Sequence, residues 1–267
     1  MRILFATDGS RGSGIAEDFL LALPLSSADD VTLVASAGPS ERESAALLSR
    51  CHWRFAARNI PVRNRLRPGP LGPTAEAVAV ELGAELVVVG GRTPGFAGPL
   101  AGDLARGLAA SGTVSLLVVR ERREAPRRVL VAIDASDDAR AAVDLTARLP
   151  LPAEARVHLV RLAIDAEGAT VPDPVLLARS RLGARLDGTA ALDRAHPGER
   201  ILRDALAHGS DIIVLGVRDR PSAMGLLRPS VADHVFSHAH CAVLLARAPL
   251  AHRRVEAHAA ILALREC

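Results

Sequence analysis

Two kinds of residue in this chain have the type and placement to hold a ligand: aspartates that end one apolar run and glycines that end another. Asp8 closes Ile3-Leu-Phe-Ala-Thr-Asp-Gly-Ser10, and Asp134 closes Val129-Leu-Val-Ala-Ile-Asp-Ala-Ser136. Gly90 breaks Glu85-Leu-Val-Val-Val-Gly-Gly-Arg92, and Gly216 breaks Asp211-Ile-Ile-Val-Leu-Gly-Val-Arg218. Asp8 or Ser10 could equally cap a following helix. The chemistry indicated is binding. No Ser-His-Asp or Cys-His arrangement can be assembled from motif context, and there is neither a GxSxG elbow nor a Walker lysine. His234 and His238 have the i, i+4 spacing of a metal pair, with His240 close by. With no third ligand nearby, they read as surface histidines and no metal is expected.

These segments recur in one register. An offset of 126 carries Asp8 to Asp134, Val31-Thr-Leu-Val34 to Val157-His-Leu-Val160, and Gly90 to Gly216. Three strand-like runs repeating in step over about eighty residues mark a tandem duplication. A length of 267 residues agrees, since about two domains are expected at that size. The boundaries read as domain 1 over 1–122, domain 2 over 127–248, and a tail over 249–267 whose Leu250, Val255, Ile261, Leu262 and Leu264 suit one more helix.

Apolar periodicity predicts the elements that place these residues. In the first half, strands are expected over 2–7, 31–36, 60–66, 85–90 and 114–119, with helices over 13–23, 40–58, 74–83 and 103–111. Trp53 is expected to be partly buried by the second helix. In the second half, strands are expected over 128–133, 156–162, 189–193, 211–216 and 241–246, with helices over 137–149, 174–186, 199–208 and 230–238. Alternating strands and helices imply an α/β fold of two tandem, doubly wound, five-stranded parallel sheets. For strand order 3-2-1-4-5, the crevice opens between strands one and four. Asp8 and Gly90 end those strands in one half, Asp134 and Gly216 in the other.

Composition narrows the partners. Hydrophobic residues make up 49 % of the chain and aromatics only 2 %, which leaves no stacking platforms for single-stranded nucleic acid. The 33 basic residues are all arginine and stand against 30 acids, for a net charge of +3. They are interleaved with the acids outside Arg120-Glu-Arg-Arg-Glu-Ala-Pro-Arg-Arg128, so no nucleic-acid partner is expected. Cys51, Cys241 and Cys267 share no metal or CxxC spacing, which suits a reducing compartment. No apolar run reaches membrane-spanning length, and Met1 leads directly into a strand, so the expected location is the cytoplasm.

The openings Ala6-Thr-Asp-Gly-Ser10 and Ala132-Ile-Asp-Ala-Ser136, the Val-Val-Val-Gly-Gly-Arg strand, and the closing Ala239-His-Cys-Ala-Val-Leu-Leu245 with its counterpart Thr113 to Val119 resemble the universal stress protein family in tandem form. The resemblance covers nearly the whole chain. It implies an adenine nucleotide alpha hydrolase-like fold and a stress-response binding module that is not an enzyme. It also implies that the halves pair through 114–119 and 241–245 as an intrachain pseudo-dimer, with further homodimerisation open. ATP would be its ligand in the first half. By resemblance, Asp8 and Asp134 would contact adenine or ribose, Ser36 and Leu162 would line the base pocket, and Gly90, Gly91, Gly102, Gly216 and Ser230 would belong to the phosphate loops.

Nucleotide-binding members carry Gly-x-x-Gly, nine residues, then Gly with Ser or Thr, where glycines let backbone N–H groups approach phosphate at a helix N-terminus. Both halves depart from that pattern. In the first, Thr93 replaces a glycine, the spacer is one residue short, and Asp103 follows Gly102. In the second, Asp219 replaces a glycine and Pro229-Ser230 closes the loop. A carboxylate about 4 Å from a phosphate costs roughly 4 kcal/mol at an effective dielectric of about 20. Arg92, Arg218, Arg220 and Arg228 could offset that charge. Two readings stay open: ATP in the first half with a degenerate second site, or a nucleotide-free scaffold that kept the fold. Ser230 with Asp233 can be read as a helix cap that needs no ligand.

Overall fold

The computed structural model describes residues 1–37, 40–91, 103–121, 124–134, 136–162, 174–192, 196–217 and 231–248. The first half runs β1 (Arg2–Ala6), α1 (Arg11–Ala22), β2 (Asp30–Ala37), α2 (Glu41–Ala56), β3 (Val62–Pro68), α3 (Leu71–Leu82), β4 (Leu86–Gly90), α4 (Asp103–Ser111) and β5 (Ser115–Val119). The second runs β6 (Arg128–Ile133), α5 (Asp137–Arg148), β7 (Arg156–Leu162), α6 (Pro174–Leu182), β8 (Leu186–Leu192), α7 (Pro197–Ala207), β9 (Ile212–Gly216), α8 (Val231–His238) and β10 (Ala242–Ala246).

Each half has the predicted order 3-2-1-4-5 with parallel neighbours. The two sheets are continuous. β5 and β10 pair antiparallel, with Leu117 opposite Leu244, giving one ten-stranded sheet. The inner strands read as unbroken aliphatic runs because both faces are covered. On one face Ile3, Phe5, Val129 and Val131 pack under α1, α2, α5 and α6. On the other Leu4, Ala6, Leu130 and Leu215 pack under α3, α4, α7 and α8. Each aliphatic side chain fully removed from water in this way contributes about 1.5–3 kcal/mol.

The acid that opens the repeated strand also has a structural part. Glu85 Oε2 accepts from the Arg2 N–H at 2.9 Å, and Asp211 Oδ2 accepts from the Arg127 and Arg128 N–H groups at 2.8 and 2.9 Å. Burial pushes the Glu85 carboxyl up, but the Arg2 N–H and the Arg148 guanidinium outweigh it and hold the group below its usual range. Arg148 and Glu85 form an ion pair between the two halves.

Two arginines cross the β5–β10 seam reciprocally. Arg120, just after β5 and 1 % exposed, donates from Nη1 to the Ala239 carbonyl at 2.8 Å and from Nη2 to the Phe236 carbonyl. Arg247, just after β10, donates from Nη2 to the Ala109 carbonyl at 2.6 Å. Ala109 and Phe236 are repeat mates, so each arginine meets the carboxyl-terminal end of a helix in the other half. That end carries orphan carbonyls and partial negative charge, and a partly buried cation there is worth up to about 2 kcal/mol.

Five sequence expectations are corrected. Trp53 is 73 % exposed, because Leu48, Cys51 and Phe55 form the buried stripe of α2 and Trp53 lies on the far side of the helix at 3.6 residues per turn. α3 begins at Leu71 rather than 74, since Pro73 falls in the first turn, where the missing N–H has no intrahelical partner. β3 occupies 62–68 rather than 60–66. α6 stops at Leu182 and tightens into a 3-10 turn over Gly183–Arg185, so that β8 occupies 186–192 rather than 189–193. The tail over 249–267 lies outside the described residues.

Candidate functional site

The turn after β1 is built by short polar side chains. Ser10 Oγ caps α1 by accepting from the Ser13 N–H at 3.2 Å. Asp8, exposed, accepts from the Ser10 N–H at 2.9 Å. Gly9 between them has φ +74, a conformation that favours glycine. The second half repeats the device: Ser136 Oγ caps α5 at the Ala139 N–H, 3.2 Å, and Asp134 Oδ1 accepts from the Ser136 N–H at 2.9 Å. Both aspartates therefore have local partners before any ligand is considered.

β1 pairs with β4 through Phe5 and Val88, and β6 with β9 through Ala132 and Leu215. Asp8 and Gly90 thus end adjacent strands at the order reversal, and so do Asp134 and Gly216. Ser36, at the end of β2, donates its hydroxyl to the Gly69 carbonyl in the turn after β3, where Gly69 has φ +98. Leu162 is the last residue of β7. Gly102, Ser230, Thr93, Asp219, Pro229 and the loop arginines lie outside the described residues. Asp103 is the first residue of α4 and is exposed.

The strand-end glycines have a packing reason of their own. A Cβ on Gly90 would lie 2.1 Å from the Gly12 carbonyl carbon, and one on Gly216 2.3 Å from that of Asp138. In each half the first turn of the helix after strand one rests directly on the tip of strand four. Gly91 differs from its mate Val217. A Cβ at Gly91 would come within 2.7 Å of Arg120 Cγ, yet both positions donate a backbone hydrogen bond to the last strand, at 2.6 and 3.0 Å.

The two hollows differ in charge. α1 begins Arg11-Gly12-Ser13 with no acid in its first turn, so Asp8, two residues before the Ser10 cap, is the carboxylate that stands at its positive end. α5 carries Asp138 in its first turn, a carboxylate that works against an anion there. Sequence alone passes over Arg11 and Gly12 and takes Arg120 only as the start of a basic linker. Arg120 and Arg247 were discoverable, since each directly follows the last strand of its half at the offset of 127. His234 and His238 stack at 4.4 Å, and His238 Nδ1 is 2.8 Å from the His234 carbonyl. Among the described residues no group of three or more His, Cys, Asp or Glu could hold a metal ion.

Comparison with known proteins agrees with this geometry. Residues 126–247 match the model of the Universal stress protein family. A universal stress protein of Synechocystis is 43 % identical over 53 residues, which cover 20 % of this chain and 49 % of that protein. The match thus spans about half the length of the relative. A universal stress protein from Archaeoglobus fulgidus has a similar structure, with a TM-score of 0.72, 15 % identity, and 92 % of this chain and 98 % of that one covered. A Pseudomonas aeruginosa protein described as a putative universal stress protein superposes with a TM-score of 0.63 at 16 % identity, over 92 % of each chain. At such identities these two structures speak for the fold. The family match thus assigns residues 126–247 to the universal stress protein family, and the first half repeats the strand order of that segment.

Proposed function

We propose that the chain is a tandem universal stress protein, with domains over 1–122 and 127–248 paired as an intrachain pseudo-dimer, that binds adenine nucleotide in its first half and uses its second half structurally. The observation that carries this reading is the first hollow itself: Asp8, Gly90 and Gly91 meet at the order reversal, beside a helix N-terminus free of first-turn acids. The second hollow has Asp138 in place of Gly12 and Val217 in place of Gly91, and this favours its structural role. ATP is the proposed ligand, and the work is regulatory binding in the cytoplasm without catalysis. No helix among the described residues is long and apolar enough to cross a membrane.

A nucleotide-free scaffold is the second reading. It is favoured by the packing of Gly90 against Gly12 and of Gly216 against Asp138, which accounts for both glycines without a ligand. Calorimetric titration with ATP separates the two. Saturable heat that is lost in Gly102→Val and weakened in Asp8→Ala, both folded by circular dichroism, is the expected result. Absence of heat in the unaltered chain would select the scaffold, and unchanged affinity in Gly102→Val would remove the loop from the site.

A further inference from the structure

Arg120 touches both halves at once. Its Cγ is packed so closely on Gly91 that a Cβ there would come within 2.7 Å, while its guanidinium bonds the carbonyls of Phe236 and Ala239 and lies 5.4 Å from the centre of the Phe236 ring. Burial pushes that guanidinium down to about 10, with Cys241 pulling the other way. A buried cation bonded to two carbonyls and set beside a ring cannot leave them without stranding its charge and their acceptors. Side chains in so dense a setting move together rather than singly.

A second such contact holds the first half to the second: α4 is bound near its far end, at the Ala109 carbonyl, by Arg247. The repeat is unequal here. Val217 occupies the place of Gly91, so only the first half offers bare backbone to its arginine.

We infer that Arg120 couples the Gly91 end of the first hollow to the carboxyl-terminal end of α8 in the second half, so that a displacement at either end is felt at the other. The contact is present in the chain alone; only its use in reporting a bound ligand rests on the nucleotide reading above. Two backbone amides report the two ends. Gly91 N–H donates to the Val119 carbonyl at 2.6 Å, and Ala239 N–H to the Val235 carbonyl at 2.9 Å.

The test is hydrogen exchange of the full-length chain, read at both amides and at β2 as a reference. Gly91→Ala should push Arg120 aside and speed exchange at Ala239 about tenfold while β2 is unchanged, as local opening predicts. Gly107→Ala, where a Cβ meets nothing within 4 Å, should leave both ends alone. Arg120→Met, which keeps the length and loses the donors, should speed exchange at Ala239 and also at Gly91. Faster exchange at Ala239 with Gly91 unmoved would reduce Arg120 to a cap on α8 and overturn the coupling. So would normal exchange at Ala239 in folded Gly91→Ala. In a parallel arm, ATP binding is measured calorimetrically and then exchange is repeated with ATP. Bound ATP should slow exchange at Ala239 in the unaltered chain and not in Arg120→Met. Heat without that change overturns the coupling as a reporter, whereas absence of heat sinks the nucleotide reading and leaves the Gly91→Ala comparison to decide the coupling.

Discussion

Gly90 and Gly12 meet backbone to backbone, with the space for a Cβ on Gly90 already taken by the Gly12 carbonyl at 2.1 Å. Adding one methyl group must therefore separate α1 from β4, and overpacking of this kind costs about 1–3 kcal/mol. Gly90→Ala is expected to lower the denaturant midpoint accordingly, and Gly216→Ala to do the same in the second half. Gly14→Ala, in the same helix with nothing within 4 Å of its Cβ, should leave the midpoint unchanged or raise it, by up to about 1 kcal/mol. Equal behaviour of Gly90→Ala and Gly14→Ala in urea titrations would contradict the close approach.

The serine caps predict a paired effect. Ser10→Ala removes the acceptor for the Ser13 N–H, and Ser136→Ala that for the Ala139 N–H. Each should cost about 1 kcal/mol, measured as a shift in thermal midpoint, and Ser→Asp at either position should recover most of it.

His158 predicts an acid-sensitive stability. Its ring stacks on His208 with centroids 3.9 Å apart, and its Nε2 is buried without a hydrogen-bond partner among the described residues. Burial, then the charge of His208, hold its pKa below the usual 6.5, against an upward pull from Asp204 and Asp187. Arg128 lies close as well, donating to the His208 carbonyl at 2.9 Å. A depressed folded pKa means stability that is present above the unfolded value and lost as the pH falls through that value toward the folded one. Thermal midpoints should therefore decline between about pH 7 and pH 5, and His158→Thr should flatten that decline, Thr32 being the buried residue at the same place in the first half. An unchanged slope in the variant would remove His158 as the cause.

Cys51 should be chemically silent. Burial, reinforced by the Glu17 carboxylate, pushes its thiol up to about 12, so at pH 8 roughly one molecule in ten thousand carries the reactive thiolate. Iodoacetamide followed by peptide mass mapping should leave Cys51 unmodified in the native chain and label it after denaturation.

Trp53, the single tryptophan, should emit as a solvated indole. Its 73 % exposure predicts efficient acrylamide quenching before unfolding and little change in quenching afterwards.

The fold was readable in the sequence because parallel strands covered on both faces must be apolar throughout, and the turns around Asp8, Gly90, Asp134 and Gly216 repeat at a fixed offset. The alternation of elements and the Ser10 cap follow from local pattern, and the adjacency of Asp8 to Gly90 follows once the doubly wound order 3-2-1-4-5 is taken. What pattern misses is contact at a distance. Nothing in a linear reading shows that Gly90 bears on Gly12, because a glycine selected for helix packing and one selected for a phosphate have the same letter. Trp53 was misplaced for a related reason: its type suggests burial, while its angular position on α2 decides otherwise. Arg120 read as part of a basic linker, although its recurrence as Arg247 distinguished it from its charged neighbours. The site itself was only half legible, since Gly102 and Ser230, which the resemblance would assign to phosphate loops, lie outside the described segments.

The seam between β5 and β10 has a consequence for how such a chain can be cut. Severing it within residues 121–127 and parting the fragments would bare a row of unpaired strand amides on each piece and strand one arginine apiece away from its carbonyls. Either fragment alone would have strong reason to seek a substitute, its own twin included, so that a truncated product should be recovered as a dimer or as aggregate rather than as a free half.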